Sequence, residues 1–442
     1  MSTLRNLRPS RREFLSTTSA AAAAVALGCY VNPTAAQESK SPNERLNLAA
    51  VGATGRAGAN ISGCASQNII AVADCDSNLL AKGTERFPDC RKYADFRKML
   101  EAEANKIDAV LVGTPDHTHA PAAAMALRLG KHVYCEKPLT HTVYEARTLA
   151  NLAKEKKLVT QMGTQIHAED NYRRVVELIQ AGAIGDVREV HVWVGVNYSG
   201  AKFTTDKPCP AGLDWDLWLG PAKERPYSDG VHPFHWRRFW QYGTGGLGDF
   251  FCHYGDLVHW ALDLKHPLTV EAKGPPVDPV SCSTDLTVTY EYPARGKLPP
   301  VKLTWYDGSV RPDVVKDLLA KDESLKAFGS GQLFIGSQGM LISNYGAHRL
   351  LPADKFADYK RPEPTIPKSI GHHAEWLNAI KNGGPTTCNF DYSGALTEAT
   401  LLGAVAYRAG KKIEWDAANL KVNNVPEAQQ YVHKEYRKGW TL

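Results

Sequence analysis

Between Leu46 and about Val159 the chain alternates short, continuously apolar runs with longer segments whose apolar residues recur at helical spacing. Strands buried on both faces form continuous apolar runs, and helices of this length between them predict βαβ units and a parallel, doubly wound sheet. The predicted strands are LNLAAVG, IIAVADC, DAVLVGTP, HVYCE and LVTQMG. The predicted helices are GANISGCAS, DFRKMLEAEA, APAAAMALRLG and TVYEARTLANLAKEKK.

The pattern changes in the second half, where apolar and polar residues alternate with a period of two between turns. This alternation indicates a mainly antiparallel sheet that has one face covered by helices. The strands predicted there are VREVHVWVGV, CSTDLTVTYEYP, PVKLTWYDG and GQLFIGSQGMLISN. The helices predicted to cover it are GLGDFFCHYGDLVHWALDL, HHAEWLNAIKNG and SGALTEATLLGAVAYRAG. We therefore expect an α/β domain over residues 46–162 and an α+β domain over residues 163–442.

The first 36 residues have the pattern of an export signal. The segment SRREFL, residues 10–15, carries paired arginines and precedes an Ala-rich apolar run that ends in small residues near Ala36. This order resembles a twin-arginine signal peptide, and the run is too short for a permanent membrane span. We expect residues 37–45 to be a linker and the protein to be exported to the periplasm by the twin-arginine machinery. A lipid anchor at Cys29, which follows ALG, is the minor alternative.

Charge and cysteine content exclude some classes of protein. Four arginines against one acid in the leader account for most of the formal charge of +5, so residues 37–442 carry only +2. So small a charge gives no electrostatic basis for nucleic-acid binding. The nine cysteines include no CxxC pair, and we predict no metal site.

A glycine-rich turn, AAVGATGRAG, follows the first strand and opens the first helix. In such a turn Gly52 permits the tight bend, Gly55 lets the backbone approach a pyrophosphate, and Ala57 allows close helix–strand contact. Asp74 ends the second strand about 20 residues later, where a carboxylate binds the ribose hydroxyls of NAD and repels a 2′-phosphate. The turn departs from the usual glycine pattern at Thr54, and Arg56 could offset the preference for NAD over NADP.

Two further strand ends of the same sheet carry polar motifs. Open α/β sheets bind ligands at the carboxyl ends of their strands, so Thr114, Pro115 and His119 of GTPDHTHA are expected beside the cofactor. His119 is equally interpretable as a structural residue at a helix start. Lys137 of CEKPLT follows another strand and is expected at the nicotinamide half, with the following proline restricting its backbone.

A polar stripe interrupts the otherwise apolar helix within GTGGLGDFFCHYGDLVHWAL, residues 243–262. Asp249 and His253 are four positions apart and therefore lie on one helix face, which Asp256 continues. A helix cap with a hydrogen-bonded buried histidine is the structural alternative.

The motifs VGATGRAG, VADCD, TPDHTHA, CEKPLT and GGLGDFFCHYGD, in this order, resemble those of the Gfo/Idh/MocA oxidoreductases. The resemblance implies a Rossmann domain, followed by a substrate domain with a large open sheet whose face commonly forms the oligomer contact. It also implies that Lys137, Asp249 and His253 form the active site. We expect NAD, or NADP, to be tightly bound and the protein to be a dimer or tetramer. The cofactor contacts we expect are Gly52, Thr54, Gly55, Arg56, Ala57, Asp74, Thr114, Pro115, His119, Glu136, Lys137 and Gln165.

The chemistry of alcohol oxidation fits these residue types. His253, with a pKa near neutrality, is the candidate general base, and Lys137 is the candidate donor to the substrate oxygen. Asp249 would orient a sugar or share a proton with His253. Polyol binding calls for planar polar groups and aromatic surfaces. The candidates for it are His167, Tyr172, Arg173, Trp236, Arg237 and Tyr242.

We thus expect an exported NAD(P)-dependent oxidoreductase that oxidises a secondary alcohol of a sugar or cyclitol. Two alternatives keep the cofactor: a redox-neutral glycoside hydrolase that returns the hydride to its product, and a disproportionating enzyme acting on two sugars. A third alternative is a non-catalytic exported sugar-binding protein.

Overall fold

The structure, a computed structural model, describes residues 45–442. Its first sheet has six parallel strands in the order β3-β2-β1-β4-β5-β6. The strands are β1 (Asn47–Val51), β2 (Asn68–Ala73), β3 (Arg91–Tyr93), β4 (Ala109–Val112), β5 (His132–Cys135) and β6 (Thr160–Met162). Ala49 and Val51 pack into one apolar cluster, whereas Leu48 and Ala50 pack into another on the opposite face. Burial on both faces is the reason that these strands are continuously apolar.

Helices connect these strands. They are α1 (Gly55–Gly63), α2 (Ser77–Thr84), α3 (Phe96–Glu103), α4 (Asp116–Arg128) and α5 (Val143–Lys156). Side chains fix several of their starts: Asp76 caps α2 and Asp95 caps α3. Helix α5 begins with a capping box in which Thr142 and Glu145 each accept from the other's backbone N–H.

The second sheet has nine strands in the order β13-β12-β11-β7-β10-β9-β8-β14-β15. Only the central β7 and β10 pair in parallel, and every other neighbouring pair is antiparallel. The strands are β7 (Val187–Val194), β8 (Thr269–Lys273), β9 (Thr287–Tyr292), β10 (Val301–Asp307), β11 (Gly331–Gly336), β12 (Gly339–Ser343), β13 (His348–Leu351), β14 (Ile413–Asp416) and β15 (Lys421–Val422).

The helices of this half include the two longest of the described residues. They are α6 (Asp170–Gln180), α7 (Trp215–Leu219), α8 (Gly245–Leu262), α9 (Asp313–Lys321), α10 (His372–Asn382), α11 (Phe390–Ala409) and α12 (Gln429–Val432). Helix α11 packs against both α8 and α5, and Arg147 Nε on α5 donates to Glu398 Oε1 on α11 at 2.6 Å. The C-terminal helices therefore pack back onto the parallel-sheet half, and one apolar cluster contains residues of both sheets.

The predicted fold class, a doubly wound parallel sheet followed by a mainly antiparallel α+β part, is confirmed. The boundary at residues 162 and 163 stays a prediction. The signal peptide over residues 1–36, Cys29 and all of the predicted linker except Arg45 lie outside the described residues. Within residues 45–442, the helices are all too short or too polar to span a bilayer.

Candidate active site

The turn between β1 and α1 has the geometry of an anion site. Gly52 has φ +95°, and a Cβ there would lie 3.0 Å from Ala57 Cβ and 3.1 Å from the carbonyl of Gly113. Only glycine meets both constraints. Thr54 occupies the N-cap position of α1, but its side chain makes no capping hydrogen bond. The N–H groups of the first turn therefore have no side-chain acceptor and can bind a phosphate.

Asp74, at the end of β2, joins this turn to the second strand. Its carboxylate accepts from the backbone N–H of Ala53 and from that of Asp76, each at 3.0 Å. Burial raises the pKa of Asp74 and outweighs the effect of these two hydrogen bonds. Arg56, which could have met a 2′-phosphate, instead donates from Nε to Glu136 Oε1 at 3.1 Å. The arrangement keeps a carboxylate at the predicted ribose position and directs the neighbouring guanidinium to Glu136.

Lys137 lies between the two halves of the described chain. The peptide bond from Lys137 to Pro138 is cis. The ammonium donates to the backbone carbonyl of Asp249 at 2.9 Å and forms an ion pair with the carboxylate of the same residue. Burial would raise the pKa of Asp249, but the charges of Lys137 and Arg237 outweigh it and hold the pKa below its usual value. Arg237 Nε lies 3.8 Å from Asp249 Oδ2. A carboxylate thus fixes the ammonium at the strand end.

His253 lies one helical turn after Asp249 on α8 and is 6% exposed. Burial, together with the charge of Lys137, lowers its pKa well below the usual value. The imidazole is therefore neutral at neutral pH and can accept a proton. Its Nδ1 is buried and has no hydrogen-bond partner among residues 45–442, whereas Tyr172 Oη donates to its backbone carbonyl at 3.0 Å. Tyr172 therefore holds the backbone of His253 and does not occupy its ring nitrogens.

A cavity of about 600 Å³ runs from the glycine turn past Asp74 to Lys137 and Asp249. Its walls include most of the predicted site residues. These are Gly52, Thr54, Gly55, Arg56, Asp74, Thr114, Pro115, His119, Glu136, Lys137, Trp236, Arg237 and Asp249. His119 has ring nitrogens 2.8 Å from the Pro138 carbonyl and 2.7 Å from the Thr114 carbonyl, so both face backbone rather than ligand space.

Seven predicted site residues are not among the lining side chains: Ala57, Gln165, His167, Tyr172, Arg173, Tyr242 and His253. The substrate candidates among them are engaged inside the protein. His167 contacts Asp256, Arg173 Nη2 donates to Glu375 at 2.6 Å, and Tyr242 is fully buried against Trp218. The expectation that His167, Tyr172, Arg173 and Tyr242 contact substrate is therefore not met in this structure, because their polar groups or rings pack against protein.

Other cavity residues were not singled out from the sequence: Asp116, Tyr198, Trp218, His232, Phe234 and Trp440. Asp116 had a signal, because it lies within the strand-end motif TPDHTHA. It is 3% exposed and accepts from Thr244 Oγ1 at 2.9 Å. Burial, reinforced by the nearby charge of Asp249, raises its pKa to about 7. Tyr198, Phe234 and Trp440 come from irregular segments with no periodic pattern to mark them.

Two family profiles match the chain. The profile described as "Oxidoreductase family, NAD-binding Rossmann fold" matches residues 46–164, and "Oxidoreductase family, C-terminal alpha/beta domain" matches residues 174–298. Together they cover more than half of the chain, which therefore belongs to the Gfo/Idh/MocA oxidoreductase family. The description of the first profile supports NAD(H) as the cofactor.

Curated relatives match mainly over part of their length. A dTDP-3,4-didehydro-2,6-dideoxy-alpha-D-glucose 3-reductase of Streptomyces violaceoruber is 38% identical over 27% of this chain and 34% of its own. Inositol 2-dehydrogenase 1 of Saccharopolyspora erythraea is 35% identical over 29% of this chain and 38% of its own. Levoglucosan dehydrogenase of Pseudarthrobacter phenanthrenivorans is 25% identical over 43% of this chain and 42% of its own. The chain thus spans less than half the length of these relatives.

Solved structures share the fold over most of the chain. GenD2 from gentamicin A biosynthesis, in complex with NAD, has a TM-score of 0.58 and 20% identity, covering 88% of this chain and 100% of its own. An aldose-aldose oxidoreductase of Caulobacter crescentus, in complex with glycerol, has a TM-score of 0.55 and 17% identity, covering 84% and 99%. At these identities the likeness shows the fold alone.

Proposed function

We propose that this protein is an NAD-dependent oxidoreductase that transfers a hydride from a secondary alcohol of a sugar or cyclitol to nicotinamide. The observation that carries the proposal is the single cavity, whose walls hold the anion-binding turn at one end and the Lys137–Asp249 pair at the other. The names of the relatives, among them inositol and levoglucosan dehydrogenases, agree with this substrate class. Aromatic side chains at Trp236, Phe234 and Tyr198 supply apolar surfaces for a sugar ring.

The residues fit a dinucleotide. The N–H groups at the start of α1 suit the pyrophosphate, and Asp74 suits the ribose hydroxyls of NAD rather than a 2′-phosphate. When bound, the nicotinamide supplies the hydride acceptor. Because Arg56 is paired with Glu136, we prefer NAD to NADP, and we further propose that the cofactor is held tightly.

Three side chains, Lys137, Asp249 and His253, have separate roles in the proposed reaction. The Lys137 ammonium donates a hydrogen bond to the substrate oxygen and stabilises the negative charge that develops there. Asp249 holds that ammonium in place through the ion pair. His253, neutral because of its lowered pKa, takes the hydroxyl proton as the general base. The imidazole is not among the side chains that line the cavity, so this role requires a side-chain movement or a bridging water.

The test is turnover with NAD and a panel of sugars and cyclitols, followed at the NADH absorbance band. We expect NADH to accumulate with at least one substrate. Lys137→Met should lower kcat by about 10²–10³ while NAD still binds, because one donor to the developing charge is lost. Lys154→Met, at an exposed position on α5, is the matched control and should leave kcat unchanged.

Two other outcomes would overturn the assignment. Cleavage of an aryl glycoside without net NADH would indicate the redox-neutral hydrolase. Full turnover by Lys137→Met would remove this lysine from the chemistry and leave the proposed mechanism without its central donor.

Export and assembly are also proposals. The paired arginines of SRREFL support export by the twin-arginine machinery, and the open second sheet supports a homo-oligomer. Replacing both arginines with lysine should retain the protein in the cytoplasm, whereas light scattering of the purified protein should give a dimer or tetramer. Secretion of the lysine variant would contradict the first proposal, and a monomer would contradict the second.

A further inference from the structure

The strand order fixes which half of a dinucleotide lies at which end of the cavity. The order reverses direction between β1 and β4, and in such sheets the dinucleotide lies across that point. The ends of β4 and β5, with Thr114 and Lys137, then border the nicotinamide half. The ends of β2 and β3 border the adenosine half, which begins at Asp74.

Beyond Asp74 the cavity reaches Asp95 and Phe96, just after β3, and Trp440 of the C-terminal segment, residues 433–442, lines it as well. Trp440 lines the cavity and is 8% exposed. Its ring centroid lies 5.8 Å from that of Phe96, and the Arg97 guanidinium lies 4.1 Å above the indole. Arg97 Nη1 also donates to the backbone carbonyl of Gly439 at 3.0 Å. The indole is thus held on the adenosine side of the cavity.

The same segment supports α7, whose Leu217 and Trp218 also line the cavity. Arg437 donates from Nε to the carbonyl of Gly220 at 2.6 Å and from Nη1 to Asp216 Oδ1 at 2.5 Å. The backbone N–H of Arg437 donates to the carbonyl of Pro221 at 3.2 Å. Arg437 therefore links the C-terminal segment to α7, which contributes Leu217 and Trp218 to the cavity wall.

Helix α7 is in turn tied to the end of β2. The N–H of Asp214 donates to the carbonyl of Cys75 at 2.9 Å, and the N–H of Ser77 donates to the carbonyl of Gly212, also at 2.9 Å. His232 Nε2 lies 3.0 Å from Asp76 Oδ2. Two segments from the second half of the chain thereby enclose the position expected for the adenosine ribose.

Taken with the proposed function, on which this inference rests, the geometry points to Trp440 as a binding residue of the adenosine subsite. An adenine ring has flat apolar faces, and an indole held by Phe96 and Arg97 offers a matching surface. We infer that Arg437 is a positioning residue, which acts by holding Trp440 and α7 in place. The C-terminal segment thus slows release of the adenosine half and helps to retain the cofactor.

The test separates the two halves of the cofactor. The full-length protein, freed of bound nucleotide, is titrated calorimetrically with AMP and with nicotinamide mononucleotide. Trp440→Ala should weaken AMP binding about tenfold, since aromatic stacking on a base contributes about 1–3 kcal/mol. Nicotinamide mononucleotide should bind within twofold of wild type. Trp440→Phe, which keeps an aromatic wall, should restore most of the affinity for AMP.

Arg437→Gln should raise the rate of NAD release several-fold while leaving binding of nicotinamide mononucleotide unchanged. Trp415→Ala is the matched control, because Trp415 is buried in β14 and does not line the cavity. It should lower the unfolding temperature without changing the ratio of the two affinities.

Equal weakening of AMP and nicotinamide mononucleotide by Trp440→Ala would show a merely structural tryptophan and overturn the inference, as would no change in either. If wild-type protein binds neither mononucleotide nor NAD, the proposed function itself fails, and that result is distinct from a failure of the subsite.

Discussion

Helix α8 places two aspartates, Asp249 and Asp256, in two different environments. Asp249, near the helix start, lines the cavity and faces the ammonium of Lys137 and the guanidinium of Arg237. Asp256 is fully buried and lines no part of the cavity. The helix is apolar around both, so residue type and spacing alone do not distinguish them.

Hydrogen bonding makes the difference. Both carboxylate oxygens of Asp256 lie 3.0 Å from His167 Nδ1, which carries the hydrogen because a carboxylate only accepts. Tyr392 Oη donates to Asp256 Oδ1 at 2.7 Å, and the His167 ring stacks on Trp260 with centroids 3.7 Å apart. The hydrogen bonds of Asp256 are thus made entirely to groups inside the protein, whereas Asp249 and its charged partners Lys137 and Arg237 line the cavity. The same residue types thus serve structure at one end of the helix and, we propose, chemistry at the other.

Two histidines of α8, His253 near the cavity end and His259 in the buried part, test the comparison most strongly. His253→Ala should lower kcat by about 10²–10⁴, because a general base is lost, with NAD affinity unchanged. Because the pKa of His253 is lowered, its neutral form persists below pH 6.5, so the acid limb of the kcat profile should lie below that pH. Stopped-flow rates between pH 5 and pH 8 measure both effects.

His259→Ala is the matched control, since His259 lies on the same helix, is 1% exposed and contacts Tyr292 Oη at 3.0 Å. It should change stability and leave kcat within a few-fold of wild type. If kcat falls less than tenfold in His253→Ala, or falls equally in the two variants, the proposed functional difference between the two ends of α8 is wrong.

At the buried end, Asp256→Ala should destabilise the protein by about 3–5 kcal/mol, because it leaves the buried His167 Nδ1 without its acceptor and removes the shorter of the two hydrogen bonds that Tyr392 Oη donates. Urea denaturation measures the change in the free energy of unfolding. Asp256→Asn, which keeps the shape of the side chain and one acceptor oxygen, should destabilise the protein less than Asp256→Ala does. Wild-type stability in Asp256→Ala combined with lost turnover would assign this aspartate to catalysis instead.

At the cavity end, Asp116→Asn should change the free energy of unfolding in the opposite direction. Burial raises the pKa of Asp116 to about 7, above the value near 4 of an unfolded chain. The folded state therefore binds the extra proton, and the wild type loses stability as the pH rises from about 4 to about 7. Asn removes that loss, so the variant should match wild type near pH 4 and exceed its free energy of unfolding by up to about 4 kcal/mol above pH 7.

Denaturant titrations at pH 4.5 and pH 8 measure this difference. A variant that is less stable than wild type at pH 8 would mean that the charged form of Asp116 is satisfied in the fold, as the carboxylate of Asp256 is.

Local patterns in the sequence determined the parallel sheet, the glycine turn and the positions of Lys137 and Asp249. A period of two or 3.6, or a strand followed directly by a glycine turn, is written into consecutive residues, and parallel strand ends meet at one edge of a sheet. These features depend on neighbours in the chain. For that reason α8 and its polar stripe could be identified before any contact was known.

Only the tertiary structure decided which polar residues reach the cavity. His167 and Arg173 come from a segment with several polar candidates, and their partners, the buried Asp256 and the partly buried Glu375, turn them inward. Trp440 meets Phe96 from the opposite end of the chain. Such contacts join residues between 89 and 344 positions apart, for which no local periodicity exists, so the sequence carries the candidates and the fold selects among them.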